Sequence, residues 1–261
     1  MTAPALHPLT RCAPAEGRAL LRVAGPDRVK FLQGLVTQDM GRVVREGIGY
    51  AALLTPQGKL IADFFLVTQG DALLIDVAEP LAADLAKRLT MFKLRAAVTI
   101  EAVTLPVTRG LGPVPEGALA DPRDPSLGWR LYGQALSAGE AVDWDALRIA
   151  ALVPETGIEV LPGDSFILEL GFARLGGVDF RKGCYVGQEV TARMHHKTDL
   201  RRGLRRLAVD GVVPPGTPVV LADGREAGVL YTQAGGQGLA LMRLDRLDGD
   251  LTAAGVAVRV L

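Results

Sequence analysis

The chain has 261 residues and no formal net charge, and its composition of 49% hydrophobic but only 5% aromatic residues predicts cores built from aliphatic side chains. This length exceeds the usual size of one core, so we expect two or three packed subdomains. Two cysteines exclude a disulfide framework and a four-thiolate metal site. The first eight residues carry no secretory pattern, and no run approaches the ~18–20 apolar residues of a membrane span. We therefore expect a monomeric cytoplasmic protein that does not enter a membrane.

The N-terminal half alternates helical and antiparallel strand patterns. Residues 18–24 alternate as a strand, and Gly25-Pro26 then opens a helix whose apolar stripe continues to Met40. Glu79 begins a further helix, and a strand is predicted over 98–107. Three runs joined by turns predict an antiparallel meander, at residues 50–55, 60–68 and 72–77. This order favours an α+β fold over a doubly wound parallel sheet.

After Arg201 the sequence pattern changes from mixed helices and strands to short strands. Residues 110–128 hold four prolines and four glycines, which predicts a surface loop and a subdomain crossover at about 110–135. Asp143 is predicted to cap a helix that ends before Pro154. Short strands are then predicted at 204–209, 218–221, 227–232, 239–244 and 256–261. We predict a body over 1–200 and a small β-barrel over 201–261.

The most informative stretch is Lys182-Gly183-Cys184-Tyr185-Val186-Gly187-Gln188-Glu189. Glycines at 183 and 187 permit conformations that a Cβ would forbid, which places Cys184 on a tightly bent, ligand-facing loop. Lys182 and Arg181 would favour the thiolate, the form that acts as nucleophile or metal ligand. The alternative is that Cys184 is a small buried hydrophobic residue. Gly187 or Gln188 is predicted to open a short helix.

Other polar residues are candidates for a binding site. Gln33 and Thr37 lie four residues apart beside an apolar stripe, with Asp39 at the helix end, so they either face a ligand cavity or cap and bound the helix. His195 and His196 are adjacent, point about 100° apart on a helix and do not readily share a metal. One of them could instead form a thiolate–imidazolium pair with Cys184.

Positive charge concentrates between residues 181 and 206, where eight Lys or Arg face two acids. This segment would attract an anion such as a polyglutamate tail, a phosphate or RNA. Alternatively, its arginines protect an exposed strand edge from pairing with other chains.

The octet, with Ala192-Arg193 after it, resembles the signature of the YgfZ family, folate-binding proteins related to the glycine-cleavage T-protein. Three further blocks resemble the same family in the same order, at Phe31–Asp39, Pro56–Lys59, and Asp121–Arg123 with Leu127–Arg130. The resemblance implies a body of two α/β subdomains around a central cavity, with a small C-terminal β-barrel.

The resemblance also implies that the chain binds tetrahydrofolate and supports the assembly or repair of iron–sulfur clusters in client enzymes, including radical enzymes that modify tRNA. Partners would be client enzymes or assembly factors, with RNA contact left open. Four thiolates usually hold a cluster, so Cys184 would be one transient ligand or a redox group, while a partner or folate supplies the rest. The residues expected to contact folate are Gln33, Thr37, Asp39, Arg130, Lys182 and Arg193.

The catalytic aspartate of the T-protein corresponds to Ala62, which has no proton to exchange and no charge to stabilise an iminium ion. We therefore predict no aminomethyltransferase activity and no conventional catalysis. Two alternatives remain open: a folate-dependent one-carbon transferase, and a folate carrier in which Cys184 is structural.

Overall fold

Helices and antiparallel strands alternate through the computed structural model, which describes residues 7–197 and 200–261, without the side chain of Lys197. The chain forms two units. The first unit contains residues up to 57, 61–142 and 174–188, and the second contains 58–60, 143–173 and the residues from 189 onward. The predicted division at residues 200 and 201 remains a prediction.

Fifteen strands and five α-helices make up the described part of the chain. The strands are β1 (Arg11–Pro14), β2 (Arg18–Ala24), β3 (Ile48–Leu54), β4 (Leu60–Gln69), β5 (Ala72–Ala78), β6 (Thr99–Val103), β7 (Val107–Leu111), β8 (Leu119–Ala120), β9 (Trp129–Tyr132), β10 (Arg202–Val209), β11 (Thr217–Leu221), β12 (Glu226–Ala234), β13 (Gln237–Arg243), β14 (Leu251–Ala253) and β15 (Val256–Val260). The helices are α1 (Arg28–Gln33), α2 (Met40–Glu46), α3 (Glu79–Lys93), α4 (Trp144–Ala151) and α5 (Gln188–Lys197).

A five-stranded antiparallel sheet in the order β3-β4-β5-β2-β6 contains the predicted meander. Its core is aliphatic, as the composition indicates, and Leu85 and Leu89 of α3 are buried in it. The strand predicted over 98–107 is divided between two sheets. Pro106, which has no N–H to donate, lies between β6 and β7 and marks the change of sheet.

The second sheet of the first unit has the order β1-β7-β9-β8. It includes only the start and the middle of the segment 110–128 that was predicted as a surface loop: β7 ends at Leu111 and β8 covers Leu119–Ala120, while the other residues up to Gly128 form turns, bends and a short 3-10 helix, in agreement with that prediction. Leu127, Trp129 and Leu131 are buried in this region. Strands of two to five residues are too short to show a clear alternation, so the prolines and glycines between them dominated the sequence pattern.

The helix predicted to run from Pro26 to Met40 is broken into α1 and α2. The chain leaves the helical path at Gly34 and resumes at Asp39, which caps α2 by accepting a hydrogen bond from the backbone N–H of Arg42 at 2.8 Å. The break separates side chains that periodicity alone had placed on one stripe.

Residues from Arg202 onward form a closed barrel in the order β10-β13-β12-β11-β14-β15, so the α+β class with a C-terminal barrel is confirmed. The sequence reading missed β14, which has only three residues. β10 pairs with β13 over residues 202–208 but with β15 only over 207–209, so Arg202 and Arg205 precede the β15 pairing and the alternative that they protect a strand edge stays a prediction.

Asp143 caps α4 as predicted, accepting from the N–H of Ala146 at 2.9 Å, and α5 begins at the predicted Gln188. Among the helices described, none combines the length and apolar character of a membrane span.

Candidate functional site

The loop around Cys184 is held in place by Lys182. The buried Nζ of Lys182 donates to the carbonyl oxygens of Gln33 at 2.8 Å, Val36 at 2.6 Å and Gln38 at 3.0 Å. Three acceptors match the three protons of an ammonium group. The lysine thereby ties the signature loop to the segment between α1 and α2, 144 to 149 residues earlier in the chain.

Burial lowers the pKa of Lys182 to about 8, and the nearby carboxylates of Asp39 and Asp179 partly oppose this effect. The ammonium was predicted to favour the Cys184 thiolate and to meet a folate tail. The ammonium group of Lys182 instead donates its hydrogen bonds to backbone carbonyls. Its role in the structure is therefore to hold the loop in place.

Gly187 has the conformational role predicted, whereas Gly183 does not. Gly187 has a φ of +82°, and a Cβ there would lie 2.6 Å from the carbonyl oxygen of Thr55. Around Gly183, no described atom lies within 4 Å of the position of a Cβ, and φ is not left-handed. Tyr185 is buried, with the Lys182 Nζ 5.1 Å from its ring centroid, so the loop is anchored on both sides of Cys184.

The two cysteines lie in opposite environments. Cys184 is exposed, which excludes the alternative of a small buried hydrophobic residue. Cys12 of β1 is buried beside Trp129 and Leu131, and burial raises the pKa of its thiol. An exposed thiol on an anchored loop is the chemically available group of this site.

The sequence left open whether Gln33, Thr37 and Asp39 face a ligand cavity or cap and bound the helix. Asp39 caps α2, while Gln33 and Thr37 hydrogen-bond to neighbouring protein groups. The Gln33 amide donates to Asp39 at 2.9 Å, and its oxygen accepts from the N–H of Met40 at 2.7 Å. The buried Thr37 hydroxyl donates to the carbonyl of Gly177 at 2.6 Å and accepts from the N–H of Ala52 at 2.8 Å. The N–H of Arg42 lowers the pKa of Asp39.

On α5, Gln188 is half-buried, while Glu189, Arg193, His195 and His196 are exposed. The Nδ1 atoms of the two histidines lie 3.3 Å apart, so these rings converge where the helical angle predicted divergence. Within the described residues, no three His, Cys, Asp or Glu side chains are grouped to hold a metal ion.

Arg130 lies in a buried charge network of the first unit. Its guanidinium donates to Asp76 at 2.8 Å and to the Tyr132 hydroxyl at 3.1 Å, and it stacks over Phe65 at 4.2 Å. Arg18 donates to the same carboxylate at 2.6 Å. Burial of Asp76 works against its ionisation, but the two guanidinium groups overcome it and lower the pKa of Asp76 to about 2.

The sequence reading missed Asp76, although one signal was present. An aspartate in the otherwise apolar run Ala72–Ala78 must find a buried partner. The predicted block Asp121–Arg123 joins the same region, because Arg123 pairs with Asp121 at 2.9 Å and stacks over Phe65 at 4.7 Å.

The positive segment 181–206 is partly neutralised. Arg202 pairs with Glu169 at 3.0 Å, while Asp199 and the Lys197 side chain lie outside the described residues. Glu169 and Arg202 line a cavity of about 50 Å³ in the second unit, together with Glu159, Asp164, Ser165 and Tyr231. None of the residues predicted to bind folate lines this cavity.

Ala62 is buried among aliphatic side chains in the core of the five-stranded sheet. A carboxylate at this position would be surrounded by apolar groups. The residue that the resemblance aligns with the catalytic aspartate of the T-protein is therefore part of the packing, and the absence of aminomethyl transfer stays a prediction.

Comparison with known proteins gives four informative matches. Residues 201–261 match the CAF17, C-terminal beta-barrel domain. The mitochondrial iron–sulfur cluster assembly factor IBA57 of mouse is 33% identical and that of human 32% identical, each over 92% of this chain and 79% of the relative. Aminomethyltransferase T of the glycine cleavage system from Bartonella henselae has a similar fold, with a TM-score of 0.76, 16% identity, and coverage of 96% of this chain and 84% of that structure.

The relatives contradict the cytoplasmic location expected from the sequence, because the mouse and human proteins are both named as mitochondrial. That expectation depended on the N-terminal residues, of which the first six lie outside the described part of the chain. The prediction of a cytoplasmic location was therefore wrong.

Proposed function

This chain belongs to the family of the iron–sulfur cluster assembly factor IBA57, and we propose that it uses Cys184 as an exposed ligand for a cluster that it shares with a partner protein. The observation that carries the proposal is the position of this thiol. Cys184 is exposed, while Lys182 and Gly187 fix the loop on either side of it.

Cluster chemistry explains why a partner is required. A [2Fe–2S] or [4Fe–4S] cluster usually has four thiolate ligands. This chain has two cysteines, and the other one, Cys12, is buried in strand β1. Cys184 can therefore supply one iron–sulfur bond by losing its proton and displacing one ligand of a cluster held elsewhere. This is a ligand exchange and requires no change of oxidation state.

Anaerobic reconstitution tests the proposal directly. Purified protein is incubated with ferric iron, sulfide and glutathione, in which glutathione stands in for the thiolates of the partner, and is then separated from small-molecule complexes by gel filtration. We expect visible charge-transfer absorption with the wild type and with Cys12→Ala. Loss of that absorption with Cys184→Ser is expected, because an alcohol is a poor ligand for a soft site. Equal absorption with Cys184→Ser would reject the assignment.

We propose tetrahydrofolate as a second ligand, supported by the motif resemblance and by the T-protein fold. The residue set that we predicted fits it only in part. Lys182 binds three carbonyls, Arg130 is buried against Asp76, and Gln33, Thr37 and Asp39 bond within the loop. This leaves Arg193, which is exposed on α5, to meet the negative tail.

Titration of tetrahydrofolate at low and high salt tests this assignment. Arg193→Ala is expected to weaken binding at low salt and to reduce the salt dependence, because an exposed ion pair is screened. Arg201→Ala is the control, since Arg201 is also exposed. Absence of saturable binding in the wild type would remove folate from the proposal without affecting the role of Cys184.

As clients we propose radical enzymes that depend on iron–sulfur clusters, including enzymes that modify tRNA. The support is the resemblance of the octet around Cys184. Activities of such enzymes in a strain lacking this protein would fall, while enzymes without clusters keep theirs.

A further inference from the structure

The C-terminal end of α3 and the loop after it carry an exposed surface that the cluster chemistry does not use. We call residues 87–95 the α3 tip. It exposes Met91, Phe92 and Leu94, at 68%, 41% and 88% of their full accessible area. None of these residues belongs to the signature loop.

The α3 tip concentrates positive charge around these apolar side chains. It contains Lys87, Arg88, Lys93 and Arg95 and no acidic residue, in a chain whose formal net charge is zero. Arg88 pairs with Asp84 at 2.6 Å, whereas the other three cations form no ion pair within the described residues. Charge complementarity therefore requires an acidic occupant.

Helical spacing joins the two kinds of side chain into one surface. Lys87 and Met91 are four residues apart on α3, as are Arg88 and Phe92, so these two cations each lie beside an exposed apolar group. Phe, Met and Arg are the residue types enriched where protein interfaces are fully buried. The remaining exposed large apolar side chains of the described chain are spread singly, at residues 9, 44, 114, 212 and 261.

The strand that follows favours a protein over a lipid surface. α3 packs against β6, which is the edge strand of the five-stranded sheet and the most exposed of its strands. An open edge offers backbone groups that another polypeptide can pair with and that lipid tails cannot. We propose that the α3 tip is the docking surface for a partner protein with an acidic, partly apolar face. The inference stands without the proposed role of Cys184.

Site-specific photo-crosslinking tests this surface. p-Benzoylphenylalanine replaces Met91 in the full chain in cells, and adducts are identified by mass spectrometry. The same crosslinker at Val212 is the control, because Val212 is 89% exposed but lies outside the α3 tip. We expect an adduct with an acidic protein from position 91 and not from position 212.

Charge reversal then distinguishes specific docking from chance contact. Combining Lys87→Glu, Lys93→Glu and Arg95→Glu should weaken binding of the purified crosslinked protein by about tenfold or more. A control variant with Arg11→Glu, Lys30→Glu and Arg259→Glu, all at exposed positions, should bind normally. Replacing acidic residues of the crosslinked protein by lysine should restore binding to the first variant.

Three results would overturn the proposal. The first is an adduct yield at position 91 no higher than at position 212. The second is an affinity for the crosslinked protein that the charge-reversal variant leaves unchanged. The third is binding to vesicles of phosphatidylcholine and phosphatidylglycerol at 3:1 that requires Met91 and Phe92, which would identify a membrane surface instead.

Discussion

At the scale of single residues, Lys182 and Cys184 have different roles in the signature octet: Lys182 anchors the loop and Cys184 is its exposed thiol. Lys182 binds the carbonyls of Gln33, Val36 and Gln38, and Cys184 two residues later is exposed. The sequence indicated that both residues matter, but not how. The carbonyl groups that accept from Lys182 belong to a segment 146 residues earlier in the chain at Val36. A local sequence pattern cannot predict such a distant contact.

Replacing Lys182 by Met should lower the free energy of unfolding by about 2–4 kcal/mol, because three buried carbonyls lose a charged donor. Urea unfolding monitored by fluorescence measures the change. Arg181→Met is the control, since Arg181 is exposed and its replacement should cost less than about 0.5 kcal/mol. Equal urea midpoints for the two variants would show that the loop does not depend on this lysine.

Alkylation should discriminate between the two cysteines. Iodoacetamide at neutral pH is expected to modify Cys184 well before Cys12, because Cys12 is buried and burial raises the pKa of its thiol. Peptide mapping by mass spectrometry over time measures both rates in one sample. Faster modification of Cys12 under native conditions would mean that Cys184 is not the available thiol.

At the scale of elements, the turn before α5 sets the position of the loop. Gly187→Ala should lower the free energy of unfolding by a few kcal/mol, because the new Cβ would lie 2.6 Å from the Thr55 carbonyl oxygen and φ is left-handed. Gly183→Ala is the matched control and should change stability by less than about 0.5 kcal/mol. Thermal unfolding of both variants checks the pair. A tolerated Gly187→Ala would indicate a different turn geometry.

The two sheets of the first unit are joined by Asp76 of β5 and Arg130 of β9. Asp76→Asn should cost about 3–5 kcal/mol near neutral pH, because Arg18 and Arg130 would lose a buried anion. The pKa of this carboxyl is about 2 when folded and near 3.8 when unfolded. Its stabilisation is therefore complete above about pH 4 and is lost as the pH falls through about 2.

The part of the folding free energy that depends on the ionisation of Asp76 is about 2 kcal/mol. Urea unfolding of wild type and Asp76→Asn at pH 5 and pH 2.5 isolates it: the difference between the two proteins should shrink at the lower pH. A difference that stays constant would contradict the pairing.

Elements with a strong local period were predictable, and those defined by distant contacts were not. The pattern predicted β2, the meander β3 to β5, the Asp143 cap and the start of α5. It failed between α1 and α2, where the carbonyls bind Lys182 from a distant segment. It failed again in the β1-β7-β9-β8 sheet, whose short strands show no clear alternation.

At the scale of the whole molecule, the similarity to the T-protein lies in the fold and not in the residue aligned with its catalytic aspartate. The chain shares the fold of aminomethyltransferase T, and Ala62, which the sequence resemblance aligns with the catalytic aspartate of that enzyme, is buried in the core. The resemblance to YgfZ led to the correct broader assignment, since the relatives are IBA57 assembly factors, and a closer relation to YgfZ itself stays a resemblance. The shared fold alone therefore does not imply shared chemistry, and the absence of aminomethyl transfer stays a prediction.

Complementation tests the central claim, that the sulfur of Cys184 carries the function. A strain lacking this protein is supplied with wild type, Cys184→Ala, Cys184→Ser or the control Cys12→Ala, and activities of cluster enzymes are assayed under oxidative stress. We predict that wild type and Cys12→Ala restore these activities, and that both Cys184 variants accumulate as folded protein without restoring them. Full restoration by Cys184→Ala would contradict the account and leave Cys184 as a structural residue.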